Sequence, residues 1–180
     1  MKVFLALSRL IDALNERVGR VIGWLVLVAV LVSAGNATVR YSLNLSSNAW
    51  LEIQWYLFSA VFLLGAGYTL KKNEHVRIDV VAGRLSHRGQ AWIDIIGGLL
   101  FLMPMAVLIM VLSWPMFMQS YIGHEISSDA GGLLRWPVKL LIPVGFALLV
   151  LQGISEIIKR AAFLLGALPD DPAEKQQEQR

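Results

Sequence analysis

Three carboxylates of this sequence, Glu52, Asp94 and Glu156, stand inside long apolar tracts, and Gln152 and Ser155 share the tract of Glu156. An ionisable group in such surroundings is costly unless paired, so it marks either an ion or proton path or a structural lock. Glu52 lies just after Asn48, which has the chemistry of a helix N-cap, and helix-terminal N–H groups favour a negative charge there. The other reading pairs Glu52 with Arg135 or Lys139, the strong cations near that face apart from Arg40. Asp94, Gln152, Ser155 and Glu156 all fall near the ends of their tracts. Reaching back to water, or pairing with Arg88, Lys159 or Arg160, accounts for them better than a relay does, because a relay needs polar groups at mid-depth.

Enzyme chemistry finds no footing. His124-Glu125 opens like the helix of a zinc protease, but Ser128 stands where the second histidine belongs. There is no nucleophile elbow, phosphate-binding loop or dinucleotide fingerprint. The absence of cysteine excludes a thiolate metal site, a disulfide framework and a cysteine nucleophile. His75 and His87 belong to one connecting segment and His124 to another, so no haem or metal pair is expected. The expectation is a protein that is not an enzyme and carries no cofactor.

The elements that must position these residues are set by composition. Of 180 residues, 56% are hydrophobic and 16% charged, and the mean hydropathy is +0.60. That is too apolar for a water-soluble globule. A helix crossing about 30 Å of hydrocarbon needs roughly 20 apolar residues. Four stretches meet that length: Val21–Val39, Trp50–Leu70, Ala91–Trp114 and Pro137–Ile158. Without the alternation of barrel strands they read as helices. The fold class is therefore an all-α integral membrane protein with four transmembrane helices spread over residues 21–160, and their middles hold only apolar and small residues.

The net charge of +3 does not form a nucleic-acid surface, because the basic residues flank the spans in short clusters. Lys2, Arg9, Arg17 and Arg20 precede the first span. Lys71, Lys72, Arg77, Arg84 and Arg88 join the second to the third, and Lys159, Arg160, Lys175 and Arg180 follow the fourth. Only Arg40, Arg135 and Lys139 remain on the other side, which predicts both ends in the cytoplasm (N-in, C-in) and residence in a bacterial inner membrane. All six tryptophans, Trp24, Trp50, Trp55, Trp92, Trp114 and Trp136, fall near span ends, as an interfacial belt in the lipid bilayer would have them. Trp55, a turn inside its span, is the candidate for packing on protein instead.

Within residues 1–20, Val3, Leu7, Leu10, Ile11, Leu14 and Val18 repeat at helical spacing opposite Arg9, Asp12 and Glu16. The pattern predicts an amphipathic helix at the cytoplasmic surface, with a plain extension of the first span as the other reading. No cleavage site marks a removable signal peptide. Residues 161–180 form a cytoplasmic tail whose end, after Leu168, is polar and expected to be disordered. Small residues spaced four apart, Gly19 and Gly23, Ala29 and Ser33, and the Gly145, Leu149, Gly153 stripe, point to close helix packing. Pro104 and Pro143 are candidate kinks.

Several short motifs occur together in order. They are Trp50-Leu51-Glu52-Ile53-Gln54-Trp55-Tyr56-Leu57 running into Gly65-Ala66-Gly67-Tyr68, the loop Glu74-His75-Val76-Arg77-Ile78-Asp79-Val80, and Glu125-Ile126-Ser127. Gly131-Gly132-Leu133-Leu134-Arg135-Trp136-Pro137 and Leu151-Gln152-Gly153 complete the set. With this set, residues 50–160 resemble the small membrane (Q-type, DctQ-like) subunit of tripartite ATP-independent periplasmic (TRAP) transporters. Leu134 departs from the family pattern, which often has proline there. The resemblance implies a stable pairing with a large TRAP membrane subunit that carries the sodium and substrate sites. It also implies transient contact with a periplasmic solute-binding protein, here through the loop Met116–Trp136, and a bracing role in sodium-coupled import of an organic acid. Glu52, Arg77, Asp79, Glu125, Arg135, Trp136, Lys139 and Gln152 are then structural or partner-interaction residues rather than catalytic or substrate-binding ones, and for Arg77 and Asp79 a structural role in their loop is favoured. The rival reading is a self-contained, homo-oligomeric small transporter or a structural subunit of an unrelated membrane complex.

Overall fold

The computed structural model describes residues 2–44, 47–72 and 86–168. Arg77 and Asp79, their loop, and the polar end of the tail lie outside the described residues. Among the described residues four helices make up the fold: α1 (Lys2–Leu43), α2 (Asn48–Lys71), α3 (His87–Ile122) and α4 (Trp136–Leu164). Each is long and apolar enough to cross a membrane. Among the described residues the only extended pairing is a single antiparallel bridge, Ile126 to Leu134, in the loop before α4.

The ends follow local chemistry. α1 stops at Asn44, which takes a left-handed φ of 53°, a conformation asparagine tolerates better than most residues. Ser86 caps α3 by accepting from the Gly89 N–H at 3.3 Å, and α4 opens with Pro137 in its first turn, where a missing N–H costs nothing. Inside α3, Gly98–Leu102 widens to a π turn, with the Met103 N–H donating to the Gly98 carbonyl. Pro104 follows directly. Without an N–H of its own, Pro104 cannot close the ordinary helical bond there.

α4 is the hub: α1, α2 and α4 pack mutually, and α3 packs chiefly on α4. Close approach depends on missing side chains. A Cβ on Gly145 would stand 2.6 Å from the Leu63 carbonyl oxygen, so α2 and α4 meet backbone to backbone at that point. Gly23, by contrast, faces open space, and of the Gly19–Gly23 pair only Gly19 touches a neighbour, the Tyr68 ring.

α1 runs unbroken through residue 20, so the amphipathic segment and the first span are one helix of 42 residues. At 1.5 Å per residue it is about 60 Å long, twice the hydrocarbon thickness. Its first half turns a polar stripe inward, with Ser8 and Asn15 buried, while Val3, Leu7, Leu10 and Leu14 face outward. Trp55 is 74% exposed and does not pack on protein. Trp136 does, meeting Tyr121 edge-on at 5.5 Å.

Candidate functional site

Two polar constellations sit at opposite ends of the bundle. The first is a latch holding the loop between α3 and α4. Glu52 accepts from the Leu133 N–H at 2.6 Å, the Tyr56 hydroxyl donates to the Leu134 carbonyl at 2.9 Å, and the Asn48 amide donates to the Ala130 carbonyl at 3.0 Å. Three α2 side chains thus take up backbone groups of one loop, meeting the demand that such groups be paired. Gly132 makes room, since a Cβ there would lie 2.8 Å from Glu52 Oε1.

Glu125 is shared by two of the cations at this end, Lys139 and Arg135. Lys139 donates to its Oε2, and Arg135 Nη1 lies 3.9 Å from its Oε1. The hydrogen bond from Lys139 is the main reason the Glu125 carboxyl is held below the usual carboxylate range. This corrects two expectations for Glu52. Its partner is the loop backbone rather than Arg135 or Lys139, and Ser47, not Asn48, is the N-cap residue of α2. Sequence could not separate the cations' two possible acids, because Glu125 is near Lys139 only once the loop folds back.

The second constellation is a buried seam between the first half of α1 and the last turns of α4. Ser8 and Ser155 share a hydrogen bond of 2.7 Å, and the Ser155 hydroxyl reaches Asp12 Oδ1 at 2.8 Å. Gln152 is saturated: its amide nitrogen donates to Asp12 at 2.8 Å and to Glu156 at 2.9 Å, and its oxygen accepts from Asn15 at 2.9 Å. Lys159 joins the two carboxylates, 3.2 Å from Asp12 and 2.6 Å from Glu156. Arg160 pairs with Asp94 of α3 at 2.9 Å, and Lys71 of α2 with Glu16 of α1 at 2.5 Å. Every helix is thereby tied to another at this end. Of the alternatives open for Asp94 and Glu156, reaching water or pairing with Arg88, Lys159 or Arg160, the structure contains ion pairs, Asp94 with Arg160 and Glu156 with Lys159. Of the α1 half, only Asp12 was legible, as part of the polar side of an amphipathic pattern; Ser8 and Asn15 were missed. The signal is that Ser8, Asp12, Asn15 and Gln152, Ser155, Glu156, Lys159 are matching stripes at helical spacing.

These arrangements fasten helices, and among the described residues no group of acids and histidines is placed to hold a metal ion. A model of the DctQ component of the tripartite ATP-independent periplasmic transporters matches residues 30–163. The chain belongs to the DctQ family. No curated protein and no solved structure matches it. DctQ components are parts of transporters rather than enzymes, which makes this chain a TRAP small subunit and a multi-pass protein of the inner membrane. The DctQ match takes in the whole latch and the α4 side of the seam. Ser8, Asp12 and Asn15 precede it.

Proposed function

We propose that this DctQ subunit braces a large membrane subunit for sodium-coupled import of an organic acid handed over by a periplasmic solute-binding protein, with both of its own ends in the cytoplasm. The supporting observation is where its polar groups go. Gln152, Asp12, Glu156 and Lys159 are tied to one another, and Glu52 and Glu125 to the loop and its cations, while α3 leaves a long apolar face on the outside. A helix bundle that fastens its own charges and shows apolar flanks is suited to standing beside a pathway carried by another chain. The latch orders the loop surface that faces the binding protein. The first half of α1, with Arg9, Arg17 and Arg20 exposed, lies at the cytoplasmic surface of the bilayer.

The test is co-expression with the large subunit and purification in mild detergent, followed by uptake in proteoliposomes. Sodium-dependent uptake is expected only when both membrane subunits and the binding protein are present; uptake by this chain alone would contradict the bracing role. Because the sequence has no cysteine, orientation can be read from single replacements. Ala130→Cys is expected to react with an impermeant maleimide from the periplasm, and Ala167→Cys only after the membrane is broken.

A further inference from the structure

Between the last turns of α1 and the start of α2 lies a cleft of about 570 Å³. Leu31, Val32, Gly35, Val39 and Trp50 form its apolar wall, with Asn36 and Ser47 as its polar members. Below it, Ser33 donates to Gln54 at 3.1 Å and ties the two helices together. From Leu31 to Val39 the wall rises about 12 Å along α1. The size is that of a small-molecule site, and its setting is lipid rather than water.

We propose that this cleft is a phospholipid site: an acyl chain lies along Leu31, Val32, Gly35 and Val39, and the phosphate is held by Arg40 with help from Asn36. The argument for a lipid over a partner helix is the direction of polarity. Along α1 the wall begins with the apolar Leu31 and Val32, and Asn36 joins it one turn on beside Gly35 and Val39. Arg40, outside the cleft lining, stands one turn past Asn36 on the same helix face, so polar groups come in toward the helix end as they do along a lipid from tail to headgroup. Arg40 is exposed, in the last turn of α1, and makes no ion pair with another described residue. Of the carboxylates of this end, Glu52 is engaged with the Leu133 N–H and Glu125 with Lys139 and Arg135, while Asp129 stands exposed in the loop before α4. A guanidinium with no ion pair among the described residues is available there for a phosphate, to which its planar fork is suited. The proposal needs only that the chain is embedded in a membrane, so it stands or falls separately from the bracing role.

The test uses the full chain in nanodiscs of phosphatidylglycerol, with diacylglycerol of the same chains as the phosphate-free comparator, and reads retained lipid by native mass spectrometry. One phosphatidylglycerol is expected to stay with the protein, and diacylglycerol is expected to be lost. Arg40→Gln should lower retention at least tenfold. Gly35→Leu should do the same by filling the cleft, and a Cβ at Gly35 meets nothing within 4 Å, so the helix accepts it. Circular dichroism and melting of both variants should match the parent. A photo-crosslinker at Val39 should label lipid. No retained phospholipid, equal retention of diacylglycerol, retention indifferent to both substitutions, or labelling of a protein chain in place of lipid would each overturn the proposal.

Discussion

The Asn15 amide nitrogen donates to Gln152 Oε1 at 2.9 Å across the α1–α4 interface, and neither residue has any exposed surface. Asn15 Oδ1, on the other side of the same amide, rests where a Cβ of Gly67 would be, 2.5 Å from that position. Three helices thus meet at one carboxamide. Gln152 is the residue with the most to lose there, since its own amide groups are used by Asn15, Asp12 and Glu156 together.

Replacing Gln152 with leucine removes those bonds and leaves the Asn15 amide nitrogen only its long 3.4 Å bond to the Ile11 carbonyl. Buried polar groups left without a partner cost about 1–3 kcal/mol, and inter-helix hydrogen bonds in membranes are worth about 0.6–2 kcal/mol. A loss of about 1–2 kcal/mol is expected for Gln152→Leu in detergent unfolding. In a double-mutant cycle with Asn15→Leu, the second change should cost clearly less than it does alone. Strict additivity would show that the two side chains do not act as a unit.

Gly145 and Gly23 offer a matched pair. Gly145→Ala places a methyl against the Leu63 carbonyl and must push α2 from α4, which is expected to cost about 1–3 kcal/mol. Gly23→Ala meets open space, and helix propensity favours it by up to about 1 kcal/mol. Thermal melting should therefore move in opposite directions for the two.

The latch predicts which charge reversal can be rescued. Lys139→Glu places an acid against Glu125, and adding Glu125→Lys restores an opposite pair, so the double variant should regain most of the order of the loop. Combining Lys139→Glu with Glu52→Lys should not, because Glu52 is held by the Leu133 N–H. Hydrogen exchange at the Leu133 amide provides the readout, and Glu52→Ala alone is expected to speed it at least tenfold.

Acid should open the same loop. The Glu125 carboxyl is held below its ordinary range by Lys139, and an unfolded glutamate titrates near about pH 4.3. Its contribution is then fully present above that pH and disappears as pH falls through the lower folded value. Exchange of the loop amides is expected to rise below about pH 4 in the parent. In Glu125→Gln the loop should be looser at neutral pH and show a smaller acid-dependent step, since the Glu52 carboxylate still holds the Leu133 N–H.

Four spans, the apolar middles and the clustering of cations beside alternate ends were all readable along the chain, because hydropathy and length are local properties and a bilayer imposes the same demand on every crossing helix. The motifs from Trp50 to Gly153 carried the family for the same reason, being contiguous runs. What the tertiary structure alone decided was partnership. Glu125 rather than Glu52 takes Lys139 because the loop folds back at Gly131 and Gly132 to bring residues 125 and 135 together. Ser8, Asp12 and Asn15 of α1 face inward and Leu7, Leu10 and Leu14 outward because Gln152 and Ser155 of α4 offer the former hydrogen bonds that lipid cannot, while leucine loses nothing by facing acyl chains. A pattern along one helix shows that it has two faces; only the neighbouring helix determines which face is turned toward it.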